Sequence, residues 1–144
     1  MNTETQRQPF EVEVLLPVRT YDIDFAGVVS NIVYVRWLED LRLEMLARHF
    51  PLDEQLKSGI APVIMQTKID YKQSIKISDA PSGSMWMKAM GSLRWTVSAA
   101  IVVNGKVAAL GEQTGIFVDF QNNKPIRVPE ELKQKYQEVV AQAA

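Results

Sequence analysis

The sequence predicts an α+β domain: an antiparallel sheet of five strands wrapped around one long central helix, with a short C-terminal helix. Three observations predict it. Period-two apolar alternation marks one strand before the helix and four after it. Tyr34, Leu38, Leu41 and Met45 recur at i, i+4, i+7, i+11, the stripe of a helix running from about Asn31 to His49. Asn104-Gly105, between two alternating runs, is a strong signal for a two-residue hairpin. The chain has 144 residues and a net charge of −1, which fits one domain with a real core.

Residues 1–9 read as a flexible tail and residues 10–144 as the domain. Phe10, Val12, Val14, Leu16 and Val18 form the first apolar alternation, with Pro17 marking an edge or a bulge. The long helix is expected to carry Arg36–Asp40 and Glu44–Arg48 as i,i+4 pairs. Val35, Leu43 and Leu46 widen its apolar stripe, so most of it should be covered by protein. Pro51 ends it, and a short helix at Leu52–Lys57 closed by Gly59 follows. Val63–Tyr71, Ser84–Met90, Leu93–Val103 and Lys106–Val118 read as four strands in meander order, and Gln121–Pro125 as a turn. Pro129 opens the last helix, with Glu130 and Glu131 in its first turn as the helix dipole favours. An open sheet of this kind leaves two edges, and pairing with a second copy is the expected remedy, giving a homodimer or homotetramer.

Several chemistries are excluded by composition. There is no cysteine, hence no thiol nucleophile, no thiolate zinc site and no disulfide. His49 is the one histidine, so no multi-histidine metal site exists and no metal or other cofactor is expected. The near-zero net charge and the lack of a basic block argue against nucleic acid. No apolar run approaches the roughly 20 residues of a membrane span, and the polar N-terminus carries no export signal, so a cytoplasmic protein is expected. An enzyme of this composition must work with carboxylates and backbone dipoles.

Such groups come together in Arg19–Arg42. A strand end is expected to carry Asp22 and Asp24, a turn with Ala26-Gly27 follows, and the helix opens at Ser30-Asn31. A carboxylate beside a helix N-terminus sets a base next to N–H groups that can receive developing negative charge, an arrangement suited to acyl transfer to water. Asp22 is expected to point away from Asp24 and to serve the structure. His49, far along the helix, is expected to be structural or exposed, and Trp37, Trp86 and Trp95 to lie in the core or an interface.

The run Tyr21-Asp22-Ile23-Asp24-Phe25-Ala26-Gly27-Val28-Val29-Ser30-Asn31-Ile32-Val33-Tyr34 resembles the Y-x-D-x-D-x-x-G-x-V-x-(N/H)-x-x-Y motif of hotdog-fold thioesterases, in the 4-hydroxybenzoyl-CoA thioesterase-like branch. The likeness continues through Trp37-Leu38-Glu39 to Arg42, with weaker echoes at Ile69-Asp70-Tyr71 and Lys124–Pro129. It implies a hotdog fold and hydrolysis of an acyl-CoA or acyl-carrier-protein thioester. It places Asp24 as the catalytic carboxylate, nucleophile or base, and Asn31 as the residue whose backbone N–H polarises the thioester carbonyl. Gly27, Val28, Ile32 and Tyr34 are the candidate substrate-binding residues, while Tyr34 and Arg42 match the motif with a structural role favoured for both. Some relatives carry His where Asn31 stands, and Asn cannot accept a proton in turnover. That difference keeps a non-catalytic acyl-ligand binder in view as the alternative. Lys68, Lys72, Lys88 and Arg94 are candidates for meeting the phosphates of coenzyme A.

Overall fold

The structure, a computed structural model, describes residues 8–143. The expected loose tail falls mostly on residues 1–7, outside the described residues. Pro9 is already tied down, its carbonyl accepting the Met87 N–H at 2.8 Å.

Strand β1 (Val12–Leu15) comes first, then helix α1 (Asn31–His49) and helix α2 (Leu52–Lys57). Strands β2 (Ile60–Tyr71), β3 (Ser82–Met90), β4 (Arg94–Val103) and β5 (Lys106–Asp119) follow. A short β6 (Lys124–Ile126) and helix α3 (Glu130–Ala143) complete the domain. The antiparallel sheet runs β1-β3-β4-β5-β2, the five expected strands, and β6 adds a short sixth against β5 where a plain turn was expected. Asn104 and Gly105 take φ values of 53° and 77°, as the tight β4–β5 hairpin requires.

α1 crosses the curved inner face of this sheet, about 28 Å long at 1.5 Å per residue. Its buried stripe is Val33, Tyr34, Trp37, Leu38, Leu41 and Met45, the expected face. Two glycines let it settle close to the strands. A Cβ on Gly111 of β5 would stand 3.1 Å from Leu38 Cδ2, and one on Gly83 of β3 would stand 3.0 Å from Leu41 Cδ1. The opposite flank is less covered than expected: Val35 and Leu43 are 44% and 45% exposed in the single chain.

Four local expectations change. β1 is shorter than the alternation implied, because Phe10 sits at φ 58° and Pro17 has no N–H to offer a neighbour. Thr20–Asp22 is a 3₁₀ turn rather than a strand end. Arg36 turns away from Asp40 and pairs instead with Asp22, at 3.2 Å; the Glu44–Arg48 pair forms as expected, at 2.7 Å. β2 begins earlier and carries a bulge between Ile64 and Gln66, which reverses its phase. Pro62 and Ile64 therefore face inward in the first half, leaving Val63 and Met65 outside, while Thr67, Ile69 and Tyr71 keep their expected side.

Trp95 lies in the core over Gly115, where an added Cβ would come within 2.4 Å of the indole and 2.6 Å of the Val63 carbonyl. Neither neighbour is the free end of a flexible chain. Gly115→Ala is therefore expected to cost about 3 kcal/mol of stability, the upper part of the overpacking range, with altered tryptophan fluorescence. Denaturant unfolding checks it; a loss under about 0.5 kcal/mol, as at a plain surface site, would contradict the packing.

His49 stacks on Phe10 with ring centroids 4.6 Å apart. Burial, and then the nearby Lys135 and Arg48 charges, push its imidazole below the ordinary value of 6.5. The unfolded chain then takes up the proton before the folded one does. Stability from this residue is complete above pH 6.5 and falls as pH drops toward the lower folded value. Because this is the one histidine, His49→Gln should flatten the slope of unfolding free energy between about pH 7 and pH 5. An unchanged slope in the variant would contradict it.

Candidate active site

The chain between β1 and α1 forms a closed loop whose neck is a bridge between Ile23 and Val29. Asp22 anchors it from behind. Its carboxylate is buried, accepts the Arg19 N–H at 2.8 Å and the Arg36 guanidinium at 3.2 Å, and its carbonyl receives the Ser30 N–H at 2.9 Å. Its structural role is as expected, though the reason differs. Residues two apart on a strand would share a face; here Asp22 ends the 3₁₀ turn while Asp24 opens the next turn beyond the Ile23 bridge, so the strand rule does not apply.

Asp24 sits at the front of the loop, half-buried. One carboxylate oxygen, Oδ1, accepts the Ala26 N–H at 2.9 Å and, more weakly, the Val28 N–H at 3.4 Å. The ordinary habit of an aspartate before glycine, bonding its own turn, is thus fulfilled by one oxygen. The other, Oδ2, has no protein partner among the described residues. Main-chain bonds from Gly27 N–H to the Asp24 carbonyl and from Asp24 N–H to the Val28 carbonyl, 3.0 and 2.9 Å, close the turn. Gly27 has φ +80°, and nothing lies within 4 Å of where its Cβ would be. The positive φ sets a conformational requirement, and the space where a Cβ would stand is open.

α1 begins where this loop ends. Ser30 is the N-cap residue, yet its side chain makes no capping bond. The N–H groups of Asn31 and Ile32 find no partner among the described residues, leaving the positive end of the helix open. Asn31 is exposed and does not cap the helix. Ile32 is 72% exposed and Phe25, at the loop's tip, fully so.

Val28, Asn31 and Tyr34 line one open groove of about 210 Å³ with Tyr71 and the following Lys72, Gln73 and Ser74. Asp24 does not line it; its link to the groove is its pair of bonds with Val28, which does. Gly27 and Ile32 flank it without lining it. Of the four candidate cations only Lys72 lies here; Lys88 is paired with Glu112 at 2.7 Å, and Lys68 lines a separate hollow with Trp86.

Two residues were given no site role in the sequence. The Tyr71 hydroxyl donates to the Asn31 carbonyl at 3.1 Å, and its ring meets Tyr34 edge-on with centroids 4.9 Å apart. Gln113, buried on β5, accepts the Arg42 guanidinium at 2.7 Å and donates to Thr67 Oγ1 at 3.0 Å. Burial lowers the Arg42 pKa, with Glu39 opposing. Tyr71 had a faint signal in the Ile69-Asp70-Tyr71 echo; Gln113 broke an apolar alternation and was the one polar residue to query there. Farther along α1, His49, Met45 and Trp95 line an apolar void of about 30 Å³, room for a water but not for an acyl chain.

Residues 18–136 match the Thioesterase-like superfamily. The chain is 23% identical over 131 residues to the long-chain acyl-CoA thioesterase FadM of Escherichia coli strain K12, covering 90% of this chain and 99% of that one. It is 27% identical over 126 residues to the chloroplastic acyl-acyl carrier protein thioesterase ATL3 of Arabidopsis thaliana, covering 86% of this chain and 66% of that one. In fold it is similar to the crystal structure of DHNA-CoA thioesterase from Staphylococcus aureus, with a TM-score of 0.84, 24% identity and 91% of each chain covered. The sheet curled about α1 is the hotdog fold, and the chain belongs to the thioesterase-like superfamily as a thioester hydrolase.

Proposed function

We propose that this protein is a cytoplasmic, cofactor-independent hydrolase of acyl-CoA or acyl-carrier-protein thioesters, with Asp24 as its catalytic carboxylate and the Asn31 N–H as oxyanion donor. The single observation that supports this most is the division of labour at Asp24. One oxygen is held by two main-chain N–H groups, which fixes the carboxylate, and the other has no partner among the described residues, on the loop that leads into an open helix N-terminus. The thioester carbonyl lies in the groove with its oxygen toward Asn31, and Val28, Ile32 and Tyr34 border the acyl group while Gly27 shapes the turn.

Two routes fit this arrangement. In the first, Asp24 takes a proton from water as that water attacks the thioester carbon. The tetrahedral oxyanion is held by the helix N–H, the C–S bond breaks, and Asp24 returns the proton to the leaving thiolate. In the second, the carboxylate attacks directly, the thiolate leaves, and water opens the resulting anhydride. Incorporation of ¹⁸O from labelled water into Asp24 during single turnover distinguishes the second route from the first.

Asp24→Asn keeps size and turn bonding but removes the charge. Its kcat is expected to fall about a hundred- to ten-thousand-fold on an acyl-CoA panel, with folding intact. Unchanged turnover would remove Asp24 from the mechanism. The alternative, a binder without chemistry, draws on Asn31, which offers no proton acceptor at the helix start. Saturable acyl-CoA binding with no thiol release at any chain length would favour it.

The outer edge of β2 is the longer of the two open sheet edges, 12 residues against 4 in β1. We assign this edge to pairing with a second copy, as a homodimer or a homotetramer of two such pairs. Sedimentation equilibrium should return two or four times the 16.3 kDa of the chain. A monomer at tens of micromolar would contradict it.

A further inference from the structure

We propose that the Tyr71 hydroxyl is a positioning group for the reaction: by holding the Asn31 carbonyl it fixes and polarises the Ile32 N–H as a second oxyanion donor. The inference rests on the reading of Asp24 and Asn31 given above.

The carbonyl of Asn31 and the N–H of Ile32 belong to one rigid peptide unit, and in a trans peptide they point in opposite directions. Whatever fixes the carbonyl therefore fixes the N–H. Within α1 that carbonyl already faces the helix interior bond; the Tyr71 hydroxyl, at 3.1 Å, takes up its second lone pair. A donor on the oxygen draws electron density through the unit and makes the N–H at its other end the stronger donor. That N–H has no partner among the described residues. First-turn groups of a helix tend to fray, and this one lacks a side-chain cap to restrain it, since Ser30 makes no such bond.

Tyr71 is well placed to replace the missing cap. It is the last residue of β2, and its partner in register is Ala109 of β5, so its backbone is held by the sheet. Its ring is braced edge-on by Tyr34, which is itself buried on α1 three residues beyond Asn31. The hydroxyl is thus carried on a rigid arm from the sheet to the start of the helix. Partial burial raises the Tyr71 pKa, so the group remains a donor across the neutral range. Asn31, Tyr34 and Tyr71 all line the same groove.

Steady-state hydrolysis of an acyl-CoA and acyl-carrier-protein panel by wild type, Tyr71→Phe and Tyr136→Phe, with a melting curve for each, tests the proposal. Tyr136 is the control: its hydroxyl donates to the Lys88 carbonyl at 3.3 Å, and its ring contacts Phe10, which stacks on His49 at the far end of α1. Tyr71→Phe keeps the ring against Tyr34 and is expected to lower kcat about tenfold or more. KM should stay within about twofold and the melting temperature should hold. Tyr136→Phe should match wild type in both constants. Wild-type kcat in Tyr71→Phe overturns the inference while leaving Asp24 in place, as does a loss confined to KM or an equal loss in Tyr136→Phe. Thiol release from no substrate by wild type overturns the reading of the site, and this inference with it. If Tyr71→Phe melts too early to assay, Tyr71→Trp, which keeps an aromatic plate but no hydroxyl, must show the same fall in kcat; full kcat there overturns the proposal.

Discussion

Everything in this fold follows from how closely α1 approaches the sheet. Leu38 on Gly111 and Leu41 on Gly83 bring the helix down onto two strands at positions where an added Cβ would press on the leucine side chains. A helix seated at two points along its length has little freedom to tilt or slide. Its leading end is therefore fixed by packing many residues away, and so is the direction of its dipole. The Asp22 carboxylate completes this from the other side. Buried and bonded to the Arg19 N–H and the Arg36 guanidinium, it clips the incoming chain to the flank of the helix, and its carbonyl holds Ser30 at the point of entry. A buried carboxylate with those partners is costly to break, because the remaining charge would be stranded out of water.

Much of this was legible in the sequence because the signals were local. Pro51 and Gly59 bracketed the short helix, Asn104-Gly105 fixed the hairpin, and the Tyr34–Met45 stripe gave both limits and buried face of α1. What was not legible depends on partners distant in the chain. The 3₁₀ turn at Thr20–Asp22 exists because Asp22 has Arg36 to meet, and the phase of β2 reverses because its bulge accommodates the register of β5. Val35 and Leu43 looked like core on periodicity alone; in the single chain nothing covers them. Asp24 stood out because it sits beside a glycine turn and a helix start, all within eight residues. Tyr71, 40 residues from the carbonyl it holds, could be found only once the end of β2 was placed against the start of α1.

The half-buried polar groups show a second pattern. Arg42 reaches from the helix to Gln113, and Gln113 reaches on to Thr67 at the open edge of β2. Each contact joins a different pair of elements, so helix, central sheet and edge strand are linked by one short relay of polar atoms. The Arg42 guanidinium is bonded to a neutral amide rather than a carboxylate; burial lowers its pKa and the Glu39 charge opposes that shift. The relay adds directional bonds beside the close apolar packing over the two glycines of β5.

The loop carrying Asp24 has a consequence of its own. Both donors that hold the carboxylate, Ala26 and Val28, belong to the same turn, and the turn is closed by its own main chain. Phe25 lies between Asp24 and the first of these donors, and its side chain touches almost nothing in the chain, standing fully in solvent. The turn is thus insulated from the identity of residue 25: evolution can exchange that side chain, altering the surface beside the carboxylate, without moving the oxygen that the turn holds. On the proposed reading of Asp24, the side chain next to the reacting oxygen is free to drift while that oxygen stays put.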